Sequence, residues 1–341
     1  MAVAYLRRAR KGGTPMKPSK SLAVKIAMSL VVGPIFGCAP SASDPMLNAP
    51  RNYDRQTRTQ TTSVIQTVFI VLMENHDWRE IQDNPSATYI NGQLLPQSSY
   101  TSQYFNPPGI HPSLPNYLWL EAGTNFGIRD DGLPSVHHQA TSDHLATLLE
   151  NAGISWKTYQ EGITGTDCPL TVRGHYAPKH NPFVYFDDLT DTIDPQSLHC
   201  IQNVRPYSEL ADDLASGNVA QYNFITPDQC HDMHDSSGCD TTDSVFNGDV
   251  WLSNEIPQIL GSDAFNNGGA LFITWDEGEG DDGPIGMIVL SPFAVGGGYQ
   301  NSIPYSHSST LRTFQEIFNV TPLLGDAANA TSLSDLFVTY P

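Results

Sequence analysis

The stretch Ser63–Met73, which reads SVIQTVFIVLM, decides the fold class of this chain of 341 residues. It is a continuous apolar run rich in β-branched residues, the pattern of a parallel strand buried on both faces. Further runs predict strands at Ile154–Gln160, Val219–Thr226, Ala270–Trp275 and Gly286–Leu290. Segments with helical periodicity alternate with them: Leu114–Ala122, His144–Asn151, Tyr207–Ala215, Asp249–Leu260 and Ser308–Phe318. This alternation predicts one doubly wound α/β domain over residues 63–341, in which residues 161–205, which lack periodicity, form an inserted loop or cap.

The N-terminus has the pattern of a targeting segment. Residues 1–37 contain seven basic and no acidic residues, and the apolar run Ile26–Phe36 is shorter than the roughly 20 residues that span a bilayer. Residues 35–38 resemble a bacterial lipoprotein cleavage box with Cys38 as the lipidated residue, although the bulky Phe36 leaves plain secretion open. We expect a signal peptide over residues 1–37, for which Met16 is an alternative start, and a flexible tether over residues 38–62. The expected location is the cell envelope, through membrane attachment at Cys38, or the outside of the cell.

The rest of the chain is strongly acidic. After Gly37, ten Lys and Arg residues stand against 36 Asp and Glu residues, a formal charge of −26. Such a surface repels nucleic acid and anionic membranes, so nucleic acid is not an expected partner. A chain of this charge that handles phosphate needs a divalent cation to reverse the local field.

Four cysteines besides Cys38 predict disulfides, since an exported protein meets an oxidising environment. Three pairings are open to Cys168, Cys200, Cys230 and Cys239. We expect Cys168–Cys200 and Cys230–Cys239, because each closes a short loop. A zinc site made of these four residues is disfavoured by the lack of C-x-x-C spacing.

Acids and histidines follow three of the predicted strands. They lie in Glu74–Asp77 (ENHD), Pro227–Asp235 (PDQCHDMHD) and Asp276–Gly283 (DEGEGDDG). Ligands of open α/β sheets bind beyond the carboxyl ends of the strands. Carboxylates that meet there repel one another unless a cation lies between them. The sequence therefore predicts a metal site at this edge, although a solvated turn is the alternative for the third segment.

A fourth segment, His111–Tyr117 (HPSLPNY), places Ser113 just before a predicted helix with Pro115 in its first turn. The N-terminus of a helix stabilises an ionised Ser oxygen or a phosphoryl group. Asn116 can donate to a phosphoryl oxygen from the same turn. The alternative is that Ser113 only caps the helix.

Together these segments resemble a known family. Ser113–Asn116 is similar to the Thr/Ser-x-Pro-Asn nucleophile motif of nucleotide pyrophosphatase/phosphodiesterases, members of the alkaline phosphatase superfamily. A fuller resemblance is to the phosphoesterase family that groups bacterial and fungal acid phosphatases with bacterial phospholipases C. Its landmarks resemble Met73–Asn75, His111–Tyr117, Tyr176–Phe183, Phe224–Asp235, Gly248–Leu252, Ile273–Gly278 and Tyr305–Ser308. They span about residues 65–320.

This resemblance implies an alkaline-phosphatase-like α/β/α sandwich and a covalent phosphoserine mechanism. The implied catalytic residues are Ser113 as nucleophile, Asn116 as oxyanion donor and His180. The implied metal ligands are Glu74, Asp276 and Glu277 on one side and Asp232, His234 and His307 on the other. The implied substrate-binding residues are Asn75, Lys179 and Asn181. Spacing leaves open whether Asp228 or Asp232, and His231 or His234, point into the site.

We therefore expect a metal-dependent phosphoesterase with one or two divalent ions. Oxygen ligands favour Mg, Ca or Mn, and the histidines leave Zn or Fe open at a second position. The expected substrate is a small phosphate ester or a phospholipid head group. An acid-phosphatase-type monoesterase is favoured over a phospholipase C or other phosphodiesterase, because the chain ends soon after Phe318 and family phospholipases C usually carry C-terminal extra domains. A non-catalytic metal-binding surface lipoprotein is the remaining alternative.

Overall fold

The structure is a computed structural model and describes residues 63–235, 237–280 and 282–341. The predicted signal peptide, the lipidation of Cys38 and the tether lie outside the described residues. Within those ranges, no helix has both the length and the apolar character needed to cross a bilayer.

The described residues form an eight-stranded mixed sheet in the order β5-β4-β6-β1-β7-β8-β2-β9, and β3 pairs with β10 separately. The strands are β1 (Thr67–Met73), β2 (Ser99–Thr101), β3 (Tyr104–Phe105), β4 (Trp156–Gln160), β5 (Val204–Pro206), β6 (Tyr222–Thr226), β7 (Gly269–Trp275), β8 (Met287–Leu290), β9 (Tyr299–Asn301) and β10 (Tyr305–Ser306). The five strands from β5 to β7 are parallel, whereas β8 runs antiparallel to both β7 and β2. The predicted α/β fold class is confirmed.

Helices cover the sheet. They are α1 (Trp78–Ile81), α2 (Leu95–Gln97), α3 (Ser113–Ala122), α4 (Pro134–His137), α5 (Leu145–Asn151), α6 (Asp187–Thr190), α7 (Leu198–Asn203), α8 (Leu210–Ser216), α9 (Ser244–Leu260), α10 (Asp263–Asn266) and α11 (His307–Ile317). Phe314 of α11 packs on Tyr222 and Phe272 on one face of the sheet. Trp275 points to the opposite face, where it meets Trp78 of α1. Because both faces are covered, β1 is apolar and buried from Val68 to Met73.

All five predicted strands are present, with later starts than expected in β1, β4, β6 and β8. The predicted start of the long helix at Asp249 is wrong, because α9 begins at Ser244. Asp243 caps it by accepting from the N–H of Phe246 at 3.0 Å. The Asp249 side chain instead accepts from the N–H groups of Tyr89 and Ile90, which tie a neighbouring segment to α9.

Residues 161–205 contain short helical turns, α6 and α7, and lead into the edge strand β5. Two short 3-10 turns at Pro178–His180 and Pro182–Tyr185 form part of this region. The two expected disulfides, Cys168–Cys200 and Cys230–Cys239, are confirmed, with Cα atoms 5.5 and 5.3 Å apart. The domain boundaries and the function of this region as a cap remain predictions.

Candidate active site

The carboxyl ends of β1 and β7 lie side by side and carry the first two acids of the site. Met73 is the register partner of Trp275, and the N–H of Asp276 donates to the carbonyl of Met73 at 2.9 Å. Glu74 and Asp276 follow these strands directly, and both are completely buried. The parallel pairing therefore brings together acids that are about 200 residues apart in the sequence.

Ser113 is the first residue of α3 and is 1% exposed. The N-cap is Pro112, and Ser113 does not cap the helix. Its hydroxyl donates to Oε2 of Glu74 at 2.9 Å, while Nζ of Lys179 lies 3.4 Å from the same oxygen. Ser113 thus lies between a carboxylate and an ammonium group at the positive end of a helix.

Glu277 is tied to the segment that carries Ser113. Its Oε2 accepts from Nδ2 of Asn116 at 3.1 Å and lies 2.5 Å from Nδ1 of His111. The other ring nitrogen of His111 lies 3.0 Å from Asp282. The Asn116 amide also donates to the carbonyl of Ile110, so its predicted use as an oxyanion donor requires a change of partner.

Asn75 joins the two carboxylates that follow β7. Its backbone N–H donates to Oδ1 of Asp276 at 3.0 Å, and its φ of 41° lies in the left-handed region that Asn tolerates better than most residues. When its amide is oriented to satisfy its neighbours, the nitrogen lies 3.2 Å from both Asp276 and Glu277, and the oxygen lies 3.3 Å from Nε2 of His234. Asn75 therefore links the acids of β7 to the loop that follows β6.

His180 lies between two buried carboxylates. Its Nε2 is 3.2 Å from Oε1 of Glu74, and its Nδ1 is 3.4 Å from Oδ2 of Asp232. The ring stacks on Tyr117 with centroids 5.1 Å apart. Burial lowers the pKa of His180, but the charges of Glu74 and Asp232 outweigh burial and raise it to about 9. The imidazole is therefore charged at neutral pH.

Glu74 stays ionised. Burial raises the pKa of its carboxyl, but the adjacent His180 and Lys179 outweigh burial and lower it to about 2. A carboxylate with so low a pKa is a weak base, because an effective general base has a pKa near the operating pH. Glu74 is thus better suited to hold a cation than to take the proton of Ser113.

The other carboxylates of the site are held above their usual pKa. Burial, followed by the charges of Glu74 and Glu277, raises the pKa of Asp276 well above its usual value. Burial likewise raises the pKa of Glu277 to about 7 and that of Asp232 to about 6, in each case against an adjacent imidazole. Carboxylates crowded in this way are relieved by a positive ion among them.

Unsatisfied oxygens show that these residues fit a metal ion. Oδ2 of Asp276 is buried and accepts no hydrogen bond from any described residue, whereas Oε1 of Glu74 and Oδ2 of Asp232 are buried and face the His180 ring at 3.2 and 3.4 Å without well-formed hydrogen bonds. Buried carboxylate oxygens normally have partners, since desolvation without a partner is costly. Hard divalent cations bind such oxygens, so the donor set suits a metal.

His307 is engaged on both sides of its ring. Its Nε2 lies 2.6 Å from the carbonyl oxygen of Asp276, and its Nδ1 lies 3.0 Å from the hydroxyl of Tyr104. A carbonyl only accepts, so Nε2 carries the proton and Nδ1 accepts from Tyr104. Burial lowers the pKa of His307 to about 4, so the ring is neutral. The predicted ligand role would require one of these hydrogen bonds to break, and this contact supports the backbone at Asp276.

The structure separates the alternatives in the loop after β6. Asp232 lies beside His180, and the Asn75 amide faces His234. Asp228 and His231 turn to Glu161 instead: Glu161 accepts from the N–H of Asp228 at 3.0 Å and lies 2.9 Å from His231. Asp232 and His234 are therefore the pair that shares contacts with Glu74 and Asn75.

Asn181 contacts the site only through other residues. It is buried, and its amide donates to the hydroxyl of Tyr176 at 3.1 Å. Two residues that we did not predict as site residues do contact it: His111, which lies against Glu277, and Asp131, which pairs with Lys179. His111 is two residues from Ser113, and that proximity was a usable signal. Asp131 lies in a polar turn with no motif to mark it.

The fold is similar to that of solved structures at low sequence identity. A protein of the alkaline phosphatase superfamily from Vibrio parahaemolyticus aligns with a TM-score of 0.53 at 10% identity, covering 80% of this chain and 72% of that one. Murine ectonucleotide pyrophosphatase/phosphodiesterase 5 aligns with a TM-score of 0.51 at 12% identity, covering 80% of this chain and all of that one. The fold is thus that of the alkaline phosphatase superfamily.

The model of the phosphoesterase family matches residues 84–321, and the chain belongs to that family. It is a hydrolase that acts on phosphoric ester bonds. A phosphatidylinositol-3-phosphatase of Mycobacterium tuberculosis is 28% identical over 79% of this chain and 82% of its own length. A probable acid phosphatase of Kluyveromyces lactis is 28% identical over 79% of this chain and 64% of its own length. An acid phosphatase of Aspergillus niger is 32% identical, but the match covers 49% of this chain and 38% of that enzyme.

Proposed function

We propose that this protein is a metal-dependent phosphomonoesterase in which Ser113 carries the phosphoryl group as a phosphoserine. The observation that carries the proposal is the position of the Ser113 hydroxyl, which opens α3, 2.9 Å from Glu74 and 3.4 Å from Lys179. A hydroxyl in such a place is a nucleophile candidate, because the helix N-terminus and the ammonium group both stabilise its ionised form.

Glu74, Asp276 and Glu277 are the residues that would hold a divalent cation beside Ser113. When bound, the cation supplies a lower pKa for the hydroxyl that it contacts and neutralises charge on the phosphoryl oxygens. This donor set favours Mg, Ca or Mn. Asp232 and His234 would serve a second position, where the imidazole leaves Zn or Fe open.

The chain's own groups account for the remaining steps. The oxygen of Ser113 loses its proton to solvent and forms a bond to phosphorus as the bond from phosphorus to the alcohol oxygen breaks, and the departing alcohol oxygen takes a proton from water. The Lys179 ammonium, 3.4 Å from the Ser113 oxygen, donates to the negative charge on the phosphoryl oxygens, and the charged His180 ring holds Glu74 and Asp232 in place. Water then cleaves the phosphoserine, which releases phosphate and restores the hydroxyl.

A monoester is the favoured substrate. Its dianion carries one more negative charge than a diester, and the ammonium group of Lys179 lies 3.4 Å from the oxygen of the nucleophile. The relatives named phosphatidylinositol-3-phosphatase and acid phosphatase support the same choice. We propose a small phosphate ester or a phosphorylated lipid head group as substrate. The two disulfides fit an exported protein, and lipid attachment at Cys38 remains a prediction.

Hydrolysis of p-nitrophenyl phosphate tests this function. We expect turnover that a chelator abolishes and that Mg²⁺, Ca²⁺, Mn²⁺ or Zn²⁺ restores. Turnover of bis(p-nitrophenyl) phosphate alone would make the protein a phosphodiesterase, and turnover of neither ester in any of these metals would contradict the proposal.

The nucleophile is tested with matched serine variants. Ser113→Ala should lower the rate by about 10³-fold or more, because no other group replaces the lost oxygen. Ser302→Ala changes an exposed serine in the same way and should leave the rate unchanged. Retained turnover in Ser113→Ala would remove Ser113 from the mechanism.

A further inference from the structure

Asp131 has contacts that link the start of the nucleophile helix to Lys179. Its Oδ1 accepts from the backbone N–H of Leu114, the second residue of α3, at 3.0 Å. Its Oδ2 accepts from Nζ of Lys179 at 3.1 Å. The same Nζ lies 3.4 Å from Oγ of Ser113. One carboxylate thus holds the helix that presents the hydroxyl and the ammonium group beside it.

A lysine needs such a partner to be held in one place. Its ammonium group ends a flexible four-carbon stem with rotatable donors, and ordering the stem costs rotamer entropy. Glu74 is a competing anion on the other side of Ser113. Asp131 attracts Lys179 from its own side, and the hydroxyl of Tyr185 anchors the same turn by donating to the carbonyl of Gly132 at 2.9 Å.

We propose that Asp131 is a positioning residue for phosphoryl transfer, which acts by holding the Lys179 ammonium beside Ser113. This inference rests on the proposed function, because it assigns Lys179 to the phosphoryl group. Asp131 touches neither the reacting oxygen nor the residues that would hold a metal. Its charge also acts on Glu277 and its Oδ1 holds the start of α3, so the effect that passes through Lys179 is measured by comparing proteins with and without Lys179.

The experiment is a double-mutant cycle with Asp131→Asn and Lys179→Met. The Asn side chain still accepts from Leu114 through its amide oxygen, so α3 keeps its bond while the pairing with Lys179 is lost. We expect Asp131→Asn to lower kcat/KM for p-nitrophenyl phosphate about tenfold and to weaken inhibition by inorganic phosphate by a similar factor. The melting temperature should stay unchanged.

In the Lys179→Met background, Asp131→Asn should change kcat/KM by less than about twofold, since the residue through which it acts is gone. An equal loss in both backgrounds, no loss in either, or a gain in kcat/KM would overturn the proposal. Asp130→Asn is the matched control, because Asp130 is an exposed neighbour that pairs with His137 instead, and this variant should behave as wild type.

Failure of the proposed function has a different signature. A wild-type protein that hydrolyses no phosphate ester would contradict the function, whereas calorimetric binding of inorganic phosphate to the four proteins of the cycle still measures the coupling of Asp131 to Lys179. Additive losses of phosphate affinity would then overturn the positioning role.

Discussion

The backbone N–H of Glu74 donates to the backbone carbonyl of Asp232 at 2.7 Å. This hydrogen bond joins the residue after β1 to the loop after β6. The side chains of the same two residues lie on either side of His180. This backbone contact connects the two halves of the site. A displacement of the Asp232 loop should therefore also shift Glu74, whose carboxylate accepts from Ser113.

The two disulfides should have different effects when they are removed. Cys230–Cys239 spans nine residues and begins two residues before Asp232, whereas Cys168–Cys200 spans 32 residues. Chain-entropy arguments give the longer loop about 1 kcal/mol more stabilisation. We expect Cys230→Ser/Cys239→Ser to lose more activity and Cys168→Ser/Cys200→Ser to lose more stability. Denaturant unfolding and p-nitrophenyl phosphate kinetics on both variants check this, and the reverse ranking would contradict it.

Gly248 should be required for the position of the Asp232 loop. A Cβ at this position would lie 2.3 Å from Cγ of Met233 and 3.0 Å from the carbonyl oxygen of His231. Gly248→Ala should therefore destabilise the protein by about 1–3 kcal/mol, as overpacking does, and lower kcat/KM. Gly92→Ala is the control, because nothing lies within 4 Å of a Cβ there. Equal unfolding midpoints for the two variants would refute this account of Gly248.

Removal of one buried charge should stabilise the metal-free protein. Asp276 lies among the acids Glu74 and Glu277, and its Oδ2 has no hydrogen-bond partner among the described residues. In Asp276→Asn, the amide oxygen can keep the bonds from the N–H groups of Asn75 and Glu277 while the charge is lost. With chelator present, we expect the free energy of unfolding of the variant to exceed that of wild type by about 1–2 kcal/mol, because folding no longer has to protonate this carboxyl or hold it charged beside Glu74 and Glu277. The Asp276→Asn variant should also no longer be stabilised by added metal, and it should lose its phosphatase activity.

Thermal melts with chelator and with added Mg²⁺ or Mn²⁺ measure this difference. Wild type should gain stability with metal through ligand binding to the folded state. Two results would contradict the metal assignment of Asp276. One is a melting temperature of Asp276→Asn below that of wild type in chelator, and the other is a rise in melting temperature with metal as large as that of wild type.

His144 should make stability depend on pH in the alkaline range. It is buried, with Nδ1 3.1 Å from Glu121 of α3 and Nε2 3.1 Å from Asp188. Burial lowers its pKa, but hydrogen bonds from the ring to Asp188 and Glu121 outweigh burial and raise it to about 9 from 6.5. The folded pKa is the higher one, so the stabilisation is complete below about pH 6.5 and is lost as the pH rises through 9. The contribution of His144 to the free energy of unfolding is at most about 3 kcal/mol.

Urea unfolding of wild type and His144→Gln between pH 6.5 and 9.5 checks the sign. The free energy of unfolding of wild type should fall with pH relative to that of the variant. Parallel curves for the two proteins would show that the ring does not gain a proton on folding.

The sheet and the strand ends were predictable because both depend on local patterns. The apolar run of β1 has no polar face, and this pattern indicates a strand that is covered on both sides. Glu74 directly follows the apolar run of β1, and Asp276 directly follows that of β7. The register that pairs Met73 with Trp275 then follows from parallel packing, and the acids meet. The short strands β2, β3, β5, β9 and β10 were missed, because two or three residues show no periodicity.

The hydrogen-bond and ion-pair partners of the acidic side chains could not be predicted from the sequence. Asp131 and Asp130 are adjacent acids in one turn, yet Asp131 pairs with Lys179 and Asp130 with the partly buried His137. Asp228 and Asp232 are four residues apart in the sequence. The structure shows that Asp228 contacts Glu161 and that Asp232 contacts His180. These choices depend on long-range geometry, which no local pattern records.

The antiparallel direction of β8 has a consequence for how this enzyme can diversify. Because β8 returns beside β7, the segment between them starts and ends at the same edge of the sheet and needs no crossover helix. Glu277 and Asp282 of this segment contact Asn116 and His111, which lie on either side of Ser113 in the sequence. An exchange of this segment between relatives should therefore alter the metal ligands and the support of the nucleophile together.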